Sequence, residues 1–262
     1  MIVLKVIGYL ILALVLLVLS YLFVFSGSFH TPVNVIPNAA YQSYGGPIIV
    51  FGGTRATGLD IVTLLSERGE DVTVAVRKTS NTDALRALGV KTVIADALRA
   101  DEVNAAMASS DYRVVISTLG TSRGEQNARP DYIGNRNVID AAKAAGAKRF
   151  VFITVIGAGD SRMTAPLPAR NALKEIIELK TQAEDHLRAS GLNHTIIRPG
   201  GLGDVKATGQ AFLAEDPEAF SYIARADLAQ ITVNAIGNPA TYNKTLSAYD
   251  PERKTMYKLF VD

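Results

Sequence analysis

The chain has 262 residues, no cysteine, three histidines and a formal net charge of +2. Disulfides and thiolate metal sites are excluded, the scattered His30, His186 and His194 suit neither a metal centre nor a hydrolytic triad, and the charge is too small to argue for nucleic acid. A hydrophobic content of 48% is enough to bury the core of one α/β domain of ordinary size.

Residues 6–25, "VIGYLILALVLLVLSYLFVF", carry no charge. A helix of about 20 residues rises about 30 Å, the thickness of bilayer hydrocarbon. It is apolar all round, unlike a helix with one face in water. A cleaved signal peptide is the competing reading, but its apolar core spans only about 7–15 residues before a small-residue cleavage site. Here aromatic and apolar residues run up to Ser26 without such a site. Residues 1–25 therefore read as a retained single-pass membrane anchor. Residues 26–46 are polar and turn-rich, with Pro32 and Pro37, and read as a linker to a domain over 47–262.

From Pro47 onward, β-rich runs alternate with helical stretches. "PIIVFG", "DVTVAV", "KTVIA", "YRVVIST", "RFVFIT" and "HTIIRP" are the expected strands. Helices are expected from Leu59 to Glu67, around 81–88, after a cap at Asp101, over 131–145 and over 171–190. Continuous β-branched runs joined by helices predict a Rossmann-type doubly wound α/β fold, a parallel sheet covered on both faces. Such sheets bind ligands beyond the carboxyl ends of their strands. Residues 202–225 are expected to form a small substrate or partner lobe.

The stretch "IVFGGTRATGLDIV", residues 49–62, joins the first strand to the first helix of this domain. Gly52 and Gly53 follow the strand and Gly58 opens the helix, with Thr54 and Arg55 between them. Glycine is required where backbone approaches a pyrophosphate and where helix packs closely on strand, and the helix amides then face the phosphates. The end of the second strand tests the nucleotide. An acidic residue there would accept the ribose 2′-OH of NAD. The strand ends instead in Arg77 and Lys78, and cations around that ribose suit a 2′-phosphate. The sequence therefore predicts NADP(H) rather than NAD(H).

The glycine loop resembles the T-G-G-T-R-G-I-G loop of short-chain dehydrogenases/reductases, with Phe51 for the first threonine and Ala56 for the middle glycine. The blocks "DYIGNRNVIDAAKAAGAKRFVFI", "LRASGLNHTIIRPGGL" and "ARADLA" are similar to the NmrA-like, atypical branch of that family. The resemblance covers residues 47 to about 250 and implies several contacts. Arg55 would face the adenosine ribose, and Asp96 after the third strand would contact adenine. Ser117, Thr118, Leu119 and Gly120 would pass the cofactor, and the "RPGG" run with Pro199 and Gly200 would lie near the nicotinamide.

Typical members carry Tyr-x-x-x-Lys on the helix after the fifth strand and a serine at that strand's end. Here "IIELK" keeps Lys180 but has Ile176 at the tyrosine position, and Val155 takes the serine position, next to Thr154. Tyr132 is the tyrosine before this stretch, and Tyr222 the next after it. The resemblance then implies three readings. The first is an NADP(H)-dependent oxidoreductase that acts through Lys180 on a small or lipophilic carbonyl, enone or quinone. The second is a non-catalytic nucleotide-binding redox sensor, or a subunit or assembly factor of a membrane complex. The third is an isomerase or epimerase. Lys5 before the anchor argues by charge for a domain outside the cytoplasm, whereas cytoplasmic NADP(H) argues for a domain inside, which is the expectation adopted.

Overall fold

The computed structural model describes residues 2–24, 30–121 and 130–259. Residue 25, the end of the expected anchor, residues 26–29 of the expected linker and the terminal residues 260–262 lie outside the described residues. The first helix, α1 (Ile2–Val24), is long and apolar enough to cross a membrane, and none of its stretch Val3–Ser20 is buried.

The domain then alternates β1 (Ile48–Phe51), α2 (Ala56–Glu67), β2 (Val72–Val76), α3 (Asp83–Ala87), β3 (Lys91–Ile94), α4 (Ala100–Met107), β4 (Val114–Ser117), α5 (Asn135–Ala144), β5 (Arg149–Ile153), α6 (Leu167–Ala172), α7 (Lys174–Ser190) and β6 (His194–Pro199). It closes with β7 (Leu202–Gly203), β8 (Phe212–Ala214), β9 (Ile223–Ala224), α8 (Arg225–Ile236) and β10 (Lys244–Tyr249). The main sheet has the order β3-β2-β1-β4-β5-β6-β10-β8, parallel except for β8, and β7 pairs with β9 in a second, two-stranded sheet. This is the doubly wound Rossmann arrangement that the alternation predicts, with its strand order reversing between β1 and β4.

Period-two geometry sorts the side chains of each strand onto two faces. Ile48 and Val50 of β1 join Val62 of α2 and Leu228 of α8 in one core. Ile49 and Phe51 join Val103, Val138 and Leu187 of α4, α5 and α7 in the other. Every residue of β1, β2, β4, β5 and β6 is buried, which is why the centres of those strands are rich in β-branched and aromatic residues, with Arg149, His194 and Arg198 buried near strand ends. Each large aliphatic side chain so placed contributes about 1.5–3 kcal/mol.

Several boundaries differ from expectation. α2 begins at Ala56, three residues before Leu59. The cap of α4 is Arg99, and Asp101 sits inside the first turn, held by the Arg99 guanidinium at 3.1 Å. The helix expected over 171–190 is two helices that break at Leu173, because Pro166 and Pro168 start a separate turn upstream. The helix expected over 131–145 opens with a π-helical turn, Pro130–Gly134, before α5. Of the stretch 202–225, β7 and β9 make the small sheet, but β8 adds to the main sheet beside β10, a strand the reading of six strands did not include.

Within the stretch read as a linker, residues 30–46 lie against the domain. The Ile36 amide donates to the Leu213 carbonyl at 2.8 Å, and the Glu215 amide donates to the Asn34 carbonyl at 3.1 Å. Val35 thus stands opposite Ala214 as a further antiparallel edge on β8. Tyr41 donates to Glu70 at 2.6 Å with Arg68 over its ring, fastening the same stretch near the end of α2.

Candidate nucleotide site

At the point where the strand order reverses, the loops after β1 and β4 part and leave a cleft of about 370 Å³. Its floor is the glycine loop. Gly52 has φ +90°, and a Cβ there would stand 2.5 Å from Thr118 Oγ1. Thr118 closes the join by donating from its hydroxyl to the Gly52 carbonyl at 3.1 Å and from its amide to Phe51 at 2.9 Å. Gly53 lets strand and helix meet, because its Cβ would stand 2.9 Å from Val62 and Val74. A Cβ on Gly58 would overlap the Gly52 carbonyl oxygen. These are the close-approach roles that the spacing predicts. Ala56 stands at the middle-glycine position with φ +48° and so occupies the left-handed region that favours glycine. Arg55 caps α2 through an extended backbone without a side-chain cap bond, so the helix N-terminus opens toward the cleft as an anion site.

Gly52, Thr54, Arg55, Arg77, Asp96, Thr118, Leu119 and Gly120 of the sequence-predicted residues line the cleft. Arg55 and Arg77 lie on it exposed, together with Thr79, Ser80 and Asn81, which sequence reading missed. The turn that presents them is closed by the Arg77 amide donating to Ser80 Oγ at 3.1 Å. Asp96 turns its carboxylate back to accept from the Leu98 amide at 3.0 Å, and small Ala75, Ala95 and Ala97 leave room on the wall. Lys78 is exposed and outside the lining. Ser117 is buried and donates to Asn135 at 2.6 Å.

Gly120, exposed on the cleft lining, lies next to two buried charges. A Cβ at this position would stand 3.4 Å from Asp131 Oδ1 and 3.8 Å from Lys180 Nζ. Lys180 is 4% exposed and Asp131 is fully buried. The lysine donates to the Leu119 carbonyl and, at 3.5 Å, to the Ile153 carbonyl, so it bridges the carboxyl ends of β4 and β5. Its Nζ lies 3.7 Å from Asp131 Oδ1 and 5.0 Å from the centre of the Phe152 ring. Thr121 fixes the other oxygen of Asp131 through its hydroxyl and, at 2.9 Å, its amide, while Oδ1 accepts no hydrogen bond among the described residues. Burial pushes the Lys180 ammonium below the ordinary lysine pKa, against the pull of Asp131 and Glu184. Asp131 is the functional candidate that sequence reading missed. Its only signal was an acidic residue inside "PDYIGN".

Other expected groups are committed elsewhere. The Thr154 hydroxyl donates to Glu184 at 2.7 Å, away from the cleft. Arg198 of the "RPGG" run holds the same buried Glu184 through two hydrogen bonds at 2.6 and 3.1 Å and also pairs with Asp160. Burial opposes its charge, yet Glu184 and Asp160 hold its pKa above the ordinary value. Pro199 and Gly200 stand outside the cleft lining, with Gly200 packed on the Ser221 backbone. Tyr132 is packed against the core with Arg136 over its ring. Ile176 lies half-buried one turn before Lys180 on α7. Among the described residues, no group of three or more His, Cys, Asp or Glu side chains could hold a metal ion.

A glycine cradle at the reversal point of a doubly wound sheet, with an uncapped helix N-terminus and two arginines at its outer end, defines a dinucleotide-binding Rossmann protein. The chain belongs to the NAD(P)H-binding family, whose sequence profile matches residues 52–239. Three similar proteins bear on the chemistry. ChuY, an anaerobillin reductase from Escherichia coli O157:H7, is 32% identical, covers 80% of this chain and 99% of its own, and superposes with a TM-score of 0.70. YhfK of Bacillus subtilis, described as an uncharacterized sugar epimerase, is 30% identical over 75% of this chain and 91% of its own length. An NAD(P)H azoreductase of Xenophilus azovorans is 26% identical over 78% of this chain and 68% of its own length. The family supports a nicotinamide cofactor for this chain, and its similar proteins include reductases.

Proposed function

We propose that this protein is a membrane-anchored NADP(H)-dependent oxidoreductase that reduces a small or lipophilic carbonyl, enone or quinone. The observation that carries this reading is the approach of the buried Lys180 and Asp131 to Gly120, which lines the cleft together with Arg55 and Arg77, although neither Lys180 nor Asp131 is itself part of the lining. The reduced nicotinamide would supply the hydride. Arg55 and Arg77 would hold the 2′-phosphate by charge-assisted hydrogen bonds, each contributing about 1.5–3 kcal/mol. Lys180 would orient the nicotinamide ribose and hold a proton at Nζ for the substrate oxygen, because Ile176 and Val155 carry none. Helix α1 would keep the domain on the membrane, facing the cytoplasm where NADP(H) is held.

The test is calorimetry with NADPH and NADH on the full chain, followed by NADPH oxidation against quinones, enones and aldehydes. NADPH should bind more tightly, Arg77→Asp should reverse the preference, and Lys180→Ala should lower turnover about 100-fold or more. Equal affinities would overturn the NADP assignment, and turnover indifferent to Lys180 would overturn the lysine. Digestion of the domain by protease added outside intact cells would overturn the orientation.

The hydrocarbon side chains at Ile176 and Val155 favour a second reading, in which the protein binds nucleotide without turnover, as a sensor or as a subunit of a membrane complex. Tight NADPH binding with no oxidation of any acceptor would select it.

A further inference from the structure

The segment between β5 and α7 carries a feature that the nucleotide site does not use. Residues 161–174, "SRMTAPLPARNALK", contain three cations, Arg162, Arg170 and Lys174, and no carboxylate. Met163 is 76% exposed and Leu167 59% exposed. Helix α6, in the middle of the segment, buries none of its residues. Two large apolar side chains held in water beside three cations form the composition of a surface that sits on a lipid interface.

The place of this segment relative to α1 is a second, independent observation. His30 is bonded to Asp216 at 2.7 Å, and the Val33 amide donates to the same carboxylate at 2.8 Å. The neighbouring Pro217 carbonyl accepts from the Thr164 hydroxyl at 2.8 Å, one residue from Met163. Six peptide steps separate Val24, the end of α1, from His30, and they span at most about 20 Å. The point where the chain joins the domain is therefore within a short span of the end of α1 and is linked to the 161–174 segment through the adjacent Asp216 and Pro217. The nearby acids reduce the charge without reversing its sign. Asp160 pairs with Arg198 and Glu215 with Lys244, Glu178 lies 3.9 Å from Arg162, Glu218 lies 3.9 Å from His30, and Glu175 follows Lys174 at the start of α7.

We propose that residues 161–174 rest on the surface of an anionic bilayer, with Met163 and Leu167 at the acyl boundary and Arg162, Arg170 and Lys174 among the headgroups. The proposal rests on the reading of α1 as a membrane anchor. It deepens the proposed function, because α7 starts at Lys174 and brings Ile176 and Lys180 within its first two turns. A lipophilic substrate leaving the bilayer would then meet the catalytic end of the site first.

The absence of native cysteine makes single-cysteine labelling clean. Met163→Cys and Leu167→Cys, each carrying an environment-sensitive nitrobenzoxadiazole dye, would be placed in the full chain in nanodiscs containing phosphatidylglycerol and spin-labelled lipid. Ala87→Cys on exposed α3, beside the opposite edge of the sheet, is the reference. Dye at 163 and 167 should emit further to the blue and be quenched several-fold more than dye at 87. The combined Arg162→Gln, Arg170→Gln, Lys174→Gln variant should lose that difference while NADPH binding is unchanged. Protein that incorporates into the discs but shows equal, weak quenching at all three sites would overturn the lipid contact and leave the anchor standing; a protein partner would be the alternative occupant. Protein that the discs do not retain would overturn the anchor reading, and this proposal with it.

Discussion

Ala56 takes the middle-glycine position of the short-chain dehydrogenase loop, and its conformation makes that departure measurable. The loop turns through φ +48° there, as it would for glycine. An L-residue in the left-handed region costs about 1–2 kcal/mol. Replacement by glycine removes that cost and adds the greater freedom of an unfolded glycine, roughly 0.5–1 kcal/mol. The Ala56 methyl is exposed, so no buried contact is lost. The net expectation for Ala56→Gly is a gain of about 0.5–1 kcal/mol. For a chain of this size that raises Tm by about 1–4 °C. The assay is thermal unfolding of the full chain in detergent, followed by circular dichroism. Ala105→Gly, exposed in the right-handed interior of α4, is the control of opposite sign and should lose about 0.5–1 kcal/mol. If both variants fall in Tm by the same amount, Ala56 is not left-handed and the account of the loop is wrong.

Gly58→Ala should destabilise by about 1–3 kcal/mol and abolish NADPH binding, since its Cβ would meet the Gly52 carbonyl rather than a side chain that can move; unchanged binding by calorimetry would remove the close-approach role. Asp131→Asn should take away the charge that supports the Lys180 ammonium, leaving burial to lower its pKa further. The alkaline fall in NADPH affinity should then begin at lower pH, and a fluorescence titration with an unshifted profile would refute the pairing. Because the folded pKa of Lys180 lies below its unfolded value, its contribution to stability should rise as pH climbs between those two values. Arg149, buried with no carboxylate partner among the described residues and lowered by burial to a pKa of about 10, donates to the Ile236, Ala235 and Thr241 oxygens. Arg149→Met should take the donor from the Ile236 carbonyl, while the Thr241 hydroxyl still pairs the Ala235 carbonyl, and should cost about 1–3 kcal/mol in denaturant unfolding.

The features legible in the sequence are those whose cause is local. Gly52, Gly53 and Gly58 could be read because each is a steric demand of one strand, one turn and one helix, and six strands could be read because each carries a short β-branched or aromatic run between helical stretches, even β3, whose residues are mostly exposed. β10, "KTLSAY", escaped because its polar residues meet neighbours that the sequence does not bring near. Ser247, for example, donates to the Asp216 backbone at 2.7 Å. The same distinction governs the site. Lys180 could be placed by its spacing from Ile176, yet its partner Asp131 belongs to a turn before α5 and meets it only because β4 and β5 are neighbours. Arg198 illustrates the converse error of locality. Its run looked like a cofactor wall, but Glu184 on α7 claims the guanidinium. Burying an arginine without such a carboxylate would strand its charge, and the sequence around β6 offers none. Which buried cation keeps a carboxylate oxygen to itself is thus set by competition among buried charges. Arg198 is neutralised by Glu184 and Asp160, whereas Lys180 faces Asp131 Oδ1, which accepts no hydrogen bond among the described residues, and that contrast is what makes the Lys180→Ala test of the proposed function specific.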